Sequence, residues 1–257
     1  MLKPHQSRYW LNAESKDPGE FRQQVVAVCE CYQAAPARLK GEGIHTVCVD
    51  EKTGIQALER TAPTRPMRPG QVEKREFEYT RHGTRTPTGN FEVATGRVIA
   101  PTVQETRDEG DFARHIGQTI ATDPEAGWIF VADNLTTHCS ATLALLVAGL
   151  CGVPAESLGT KGKSGVLRSV ATRKAFLMDT SHRVRFVYVP KHTSWLNQVE
   201  IWFSILARRV IRRGSFRSKE DLRDRILRFI DYFNRTMAKP IQWLYSPRPL
   251  KEAPATG

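Results

Sequence analysis

A chain of 257 residues, 40% hydrophobic and 25% charged, falls among globular proteins, with ample core for one large domain or two small ones. Its formal net charge of +11 implies a polyanionic partner or an anionic membrane surface. The longest apolar stretch, Ala141 to Leu150, is too short for a span and lacks the flanks of a signal peptide, so nucleic acid is the expected partner, no membrane is involved, and the expected location is cytoplasmic.

In chain order, Met1 to Asp17 reads as a polar, basic arm anchored by Tyr9 and Trp10. Phe21, Val25, Val28 and Tyr32 recur at helical spacing, and Pro36 with Gly41 and Gly43 is expected to close that helix. Residues 1–43 thus form an arm and one helix. Ile44 to Val49 is an apolar strand that ends at Asp50, followed by a turn over Glu51 to Gly54. A Pro- and Arg-rich loop runs from Thr61 to Gly70, and its Arg65 and Arg68, with Arg60 before it, are available to phosphates. From Glu73 to Gln104 an antiparallel meander is expected, with strands at Phe77–Tyr79, Gly89–Val93 and Arg97–Ala100 and turns at Gly83 and Gly96. Asp108 to Ala121 reads as a crossover helix, its Phe112, Ile116 and Ile120 four apart.

The next strand begins at Trp128 and runs apolar to Ala132 before delivering Asp133, Asn134 and His138. In open α/β sheets the carboxyl ends of strands are where ligands bind. A helix over Ala141–Leu150 follows. Gly152 to His182 is read as a flexible basic loop feeding a short helix, Val170 to Asp179. Its Gly159-Thr-Lys-Gly-Lys-Ser164 fails as a phosphate-binding P-loop, because Ser157 stands where a glycine is required and no strand precedes it. Val184 to Val189 alternates as a strand stopped by Pro190. Thr193 and Ser194 are candidate caps for a helix that buries Leu196, Val199, Phe203, Leu206 and Val210 and carries Asn197, Glu200 and Ser204 on an adjacent polar stripe. A last helix opens at Ser218. Five cysteines, none in CxxC spacing, read as reduced thiols.

Asp50-Glu51 at one strand end, Asp133-Asn134 with His138 at another, and Ser194-Trp-Leu-Asn197-Gln-Val-Glu200-Ile-Trp202 together resemble the Asp-Asp-Glu (DDE) transposases of bacterial insertion sequences, in the mariner-related branch (insertion sequence 630 family). The resemblance runs from Ile44 to the end. It implies an α/β, ribonuclease H-like fold: a mixed five-stranded sheet flanked by helices, spanning residues 44–240, with an insertion (152–182) before the last strand and a tail at 241–257. It also implies magnesium-dependent DNA strand cleavage and strand transfer by Asp50, Asp133 and Glu200, with two Mg2+ ions for which Mn2+ substitutes. Asp50 would bridge the ions, and Asp133 and Glu200 would each complete one. Asn134, His138 and Asn197 are candidates for orienting substrate or water, against alternative readings as a helix cap and core hydrogen bonds. The implied partners are element ends and target DNA, bound by a homodimer or larger assembly. The alternatives are a nuclease that does not join strands and a non-catalytic DNA-binding remnant. Lys161, Lys163, Arg168, Arg173 and Lys174 of the insertion, with Arg208, Arg209, Arg212 and Arg213, are the expected DNA contacts. Trp195 and Trp202 are read chiefly as packing, with base stacking the minor alternative.

Two departures stand out. Asp133 and Glu200 are 67 positions apart, longer than that branch usually shows, which marks 152–182 as the insertion. The 43 residues before Ile44 are too few for the helix-turn-helix domains that usually precede such a catalytic domain, so this chain is expected to bind DNA without reading it.

Overall fold

The computed structural model describes residues 18–245; the expected N-terminal arm and most of the expected tail lie outside them. Helix α1 (Pro18–Glu42) lays Val25, Val28, Cys29, Tyr32 and Ala35 on the sheet at three- and four-residue intervals. It runs through Pro36, where a stop was expected, and ends at Gly43, whose φ of +63° suits a helix terminus. Proline costs one main-chain bond inside a helix, and Pro36 lies exposed just past Ala35, the last packed residue of that face.

The strands are β1 (Ile44–Glu51), β2 (Ile55–Arg60), β3 (Tyr79–Glu92), β4 (Thr102–Gln104), β5 (Gly127–Ala132) and β6 (Val184–Tyr188). Their order is β2-β3-β1-β5-β6, the expected five-stranded path, and β4 adds a short sixth strand against β3. β1 and β2 run antiparallel to β3, whereas β1, β5 and β6 are mutually parallel along the sheet. Parallel neighbours need long crossovers. Helix α2 (Glu109–Ile120) supplies one before β5, and α3 (Ala141–Leu150) with α4 (Val170–Leu177) supplies the next before β6. A mixed, helix-flanked sheet in this strand order is the architecture expected above for a ribonuclease H-like chain.

One face packs α1, α5 (Val199–Leu206) and α6 (Lys219–Thr236) on Cys48, Ile129 and Val131, and the other packs α2 and α3 on Val47, Val49, Trp128 and Phe130. Among the described residues no helix is long and apolar enough to cross a membrane.

Three local expectations are corrected. The meander is one long strand, β3: Gly83 makes no turn but sits at φ +104° where the β2–β3 register slips, so it is a bulge. Arg97–Ala100 makes only an isolated bridge, Val98 to Phe91, and on its other side the side chain of Asn234 on α6 takes both the N–H and the carbonyl of Val98 at 2.8 Å. Segment 152–182 is ordered: Leu158 and Leu167 bury against Ala141, Ala144 and Ala148 of α3 in a small core of their own. Beyond α6, Trp243 folds back onto α1, its Nε1 3.4 Å from Cys29 Sγ and its ring edge-on to Tyr32. All five cysteines are free thiols.

Candidate active site

β1 and β5 are parallel neighbours, paired from Ile44 with Gly127 to Cys48 with Val131, so both carboxyl ends open on the same edge of the sheet. Cys48 and Val131 pack under α1, α5 and α6. Side chains alternate along a strand, so counting in twos from them assigns Asp50 and Asp133 to that same face.

Asp50 is buried at the last turn of β1, its Oδ1 accepting from the Glu51 N–H at 2.8 Å. Burial, and next the charge of Asp133, push its carboxyl up to about 7. Asp133 follows β5 directly and is half-buried, accepting from the Leu135 N–H at 2.9 Å in a local turn. Burial by itself would raise the Asp133 carboxyl, but its pairing with His138 and the Leu135 N–H outweigh that and hold it below its ordinary range.

His138 joins these groups from the short 3-10 turn Thr136–Cys139. It is wholly buried and stacked on Phe112 at 4.1 Å between ring centres. Its Nδ1 lies 2.6 Å from Asp133 Oδ1 and its Nε2 lies 3.2 Å from Glu51 Oε2. Burial opposes charge on the ring, yet the two carboxylates prevail and push His138 up to about 9. Asp50, Glu51 and His138 each offer a ligand atom within 4.8 Å of the other two. Glu51 was not among the expected site residues, since neighbouring residues of a regular strand face opposite ways. At the end of β1 both carboxylates nonetheless come within 4.8 Å of the histidine, and the adjacent Asp50-Glu51 pair was the only signal of this.

The third expected carboxylate, Glu200, stands in the first turn of α5, half-buried. Among the described residues its carboxylate receives no hydrogen bond or ion pair, and it is not one of the three groups within 4.8 Å. Its helix is nevertheless fastened beside Asp50. Asn197 Nδ2 donates to the carbonyl of Val49 at 3.1 Å. Val199 and Trp202 close over Gly89, which pairs with Asp50 across the β1–β3 ladder. The helix starts later than expected: Thr193 turns its hydroxyl to the Pro190 carbonyl at 2.7 Å, Ser194–Leu196 forms a 3-10 turn, and neither caps α5. Trp202 is core, whereas Trp195 is 51% exposed and meets Tyr245 edge-on.

The remaining expected residues divide by role. Asn134 is no helix cap: its Nδ2 donates to the Val189 carbonyl at 2.5 Å and its Oδ1 accepts from Lys174 at 2.6 Å. Arg173 is spent on structure, its Nε donating to the carbonyl of Cys139 at 2.7 Å. Lys161 pairs with Glu109 at 3.1 Å. Lys163, Arg168, Arg208, Arg209, Arg212 and Arg213 are exposed, and among the described residues none of the six forms an ion pair. The last four lie on or just after a π-helical turn, Ala207–Ile211, that continues α5.

Among solved structures, the chain is similar to the catalytic domain of Mos1 mariner transposase, with 11% identity over 88% of this chain and 90% of that one and a TM-score of 0.45. It is also similar to the Mos1 transposase paired-end complex with left transposon end (15% identity, 91% of this chain and 68% of that one, TM-score 0.33). A third neighbour is the Mos1 mariner paired-end complex with Mn, 16% identical over 91% of this chain and 65% of that one, with a TM-score of 0.32. No curated protein sequence matches. The sequence pattern of the DDE superfamily endonucleases matches residues 45–223, a span that takes in Asp50, Asp133 and Glu200 together with the strands and helix that carry them; the chain belongs to that family.

Proposed function

We propose that this chain is the catalytic domain of a DNA transposase of the mariner-related branch, with Asp50, Asp133 and Glu200 as its metal-holding carboxylates. The observation that carries the reading is the convergence of Asp50 and Asp133 at adjacent parallel strand ends, with the start of α5 fastened to the residue before Asp50.

The donor set fits a divalent cation. Asp50 is a buried carboxyl raised to about 7 beside another acid, a state that a bound cation relieves directly. Carboxylate oxygens are the ligands that Mg2+ and Mn2+ both accept. When bound, the metal would supply charge neutralisation at the phosphodiester and activation of the attacking hydroxyl or water. The protein's own groups do the holding. His138 ties Asp133 to Glu51 and fixes the angle between the two strand ends, Asn197 fixes α5, and Asn134 ties the Asp133 turn to the end of β6. No side-chain nucleophile is needed, so one site serves water first and a DNA 3′-hydroxyl second. The exposed arginines beyond α5 are suited to the DNA backbone, and the partners in this reading are element ends and target DNA held by two or more copies.

The test is cleavage of DNA and joining of a precut 3′-hydroxyl end in magnesium or manganese. Wild type is expected to do both, and Asp133→Asn neither, with its melting midpoint within a few degrees of wild type. Cleavage without joining would make the chain a simple nuclease. Undiminished cleavage by Asp133→Asn would remove the assigned site.

A further inference from the structure

Lys174 is the basic residue of the insertion that bonds Asn134, the residue after Asp133. It sits on α4, and its Nζ lies 2.6 Å from Asn134 Oδ1 and 5.0 Å from the centre of the Tyr188 ring. Asn134 is the residue after Asp133 and is already fixed through its Nδ2 to the Val189 carbonyl. The helix that presents the lysine is firmly seated. Ser169 and Thr172 form a reciprocal cap at its start, Arg173 binds the Cys139 carbonyl, and Leu177 is buried.

Both partners of Lys174 are neutral, and among the described residues it forms no ion pair, unlike Lys161 with Glu109 or Lys219 with Glu105. A half-buried ammonium without a counter-ion loses hydration that an amide and a ring face only partly replace. Two of its three N–H donors remain for an anion. Since a DNA backbone engaged at Asp133 would bring phosphate oxygens within reach of the neighbouring residue's partner, the arrangement is suited to one further charge-assisted bond.

We propose that Lys174 is a phosphate ligand of the active site, its ammonium binding a non-bridging oxygen of the DNA strand engaged at Asp133. The inserted segment is then a working part of the site. This rests on the endonuclease reading above.

The experiment is a salt titration of binding to a short blunt duplex of random sequence, with calcium replacing magnesium so that binding is read without cleavage. Lys174→Met keeps the aliphatic stem over Tyr188 and removes the charge. Expected are a log–log salt slope shallower by about 1 and affinity about 3- to 10-fold weaker, with both restored by Lys174→Arg. An unchanged slope and affinity in a folded Lys174→Met overturns the proposal. Should Met prevent folding, Lys174→Gln replaces it, and loss of folding in both variants overturns the proposal in favour of a strut that props Asn134. Cleavage by Asp133→Asn separates the two readings. If that variant is inactive while Lys174→Met leaves the slope unchanged, the ligand fails and the endonuclease stands; if Asp133→Asn still cuts, the endonuclease site itself is lost.

Discussion

Gly89 is where α5 comes closest to the strand pair that carries Asp50. It lies opposite Asp50 in the ladder, and a methyl added there would stand 3.2 Å from Trp202 Cζ3 and 3.3 Å from Val199 Cγ2. Its φ lies outside the left-handed region, so Gly89→Ala meets crowding and no backbone strain. Two effects compete. Alanine reduces the freedom of the unfolded chain, a gain of about 0.4–1 kcal/mol. Overpacking a filled interior costs about 1–3 kcal/mol. Val199 and Trp202 are fully buried and have nowhere to retreat except by moving α5, so crowding prevails, with a net loss of about 1 kcal/mol. For a chain of this size that lowers the melting midpoint by about 2–4 °C. A shift of α5 by a few tenths of an ångström moves Glu200, the proposed third metal-holding carboxylate, relative to β1. Because a misplacement of about 1 Å can cost about a hundredfold in rate, the variant is expected to cleave about 3- to 10-fold more slowly. Thermal melting and single-turnover cleavage check both parts. A variant with a lowered midpoint that still cleaves at the wild-type rate would refute the reasoning, because α5 could then move without disturbing the chemistry.

Glu200→Gln is expected to abolish metal-dependent cleavage while changing stability by no more than about 0.5 kcal/mol, since its carboxylate makes no bond among the described residues; a large drop in the melting midpoint would show that Glu200 has a structural role instead. His115 is wholly buried with Thr102 Oγ1 at 2.9 Å, and burial, then the charge of His138, push it down to about 3. A group depressed on folding contributes stability that is complete above its unfolded value, about 6.5, and is lost as pH falls below it, about 2 kcal/mol by pH 5. Asp50, pushed up to about 7, and His138, pushed up to about 9, act in the opposite sense over the same window because the folded state keeps both protons. Denaturant unfolding of the metal-free wild type should therefore gain about 1 kcal/mol between about pH 7 and pH 5, while His115→Gln gains about 3 kcal/mol on the same acidification. Parallel behaviour of the two proteins would show that His115 is protonated in the folded state.

Much of this molecule is decided locally. The apolar runs that end at Asp50 and Asp133, the alternation of Val184–Val189 and the four-residue spacing of Phe112, Ile116 and Ile120 each have one good solution, and β1, β5, β6 and α2 form where those patterns require. Residue types at the strand ends pointed to the carboxylates because hard oxygen ligands at the carboxyl edge of a sheet suit metal chemistry. What the sequence could not decide depends on partners distant in the chain. Pro36 is carried inside α1, exposed just past the face that Val25 to Ala35 pack on the sheet, and the two polar groups of Val98 that do not face β3 are taken by Asn234, 136 residues later. Gly83 looked like a turn because a glycine of positive φ serves a turn and a bulge equally, and only the strand opposite distinguishes them. His138 was already a candidate from its place after Asp133, whereas Glu51 entered the site through its contact with that histidine, for which no spacing in the sequence is diagnostic. The insertion is the sharpest case. Its lysines and arginines looked alike as charges, and tertiary packing alone assigned Arg173 to the frame, Lys161 to an exposed pair and Lys174 to Asn134, the residue after Asp133.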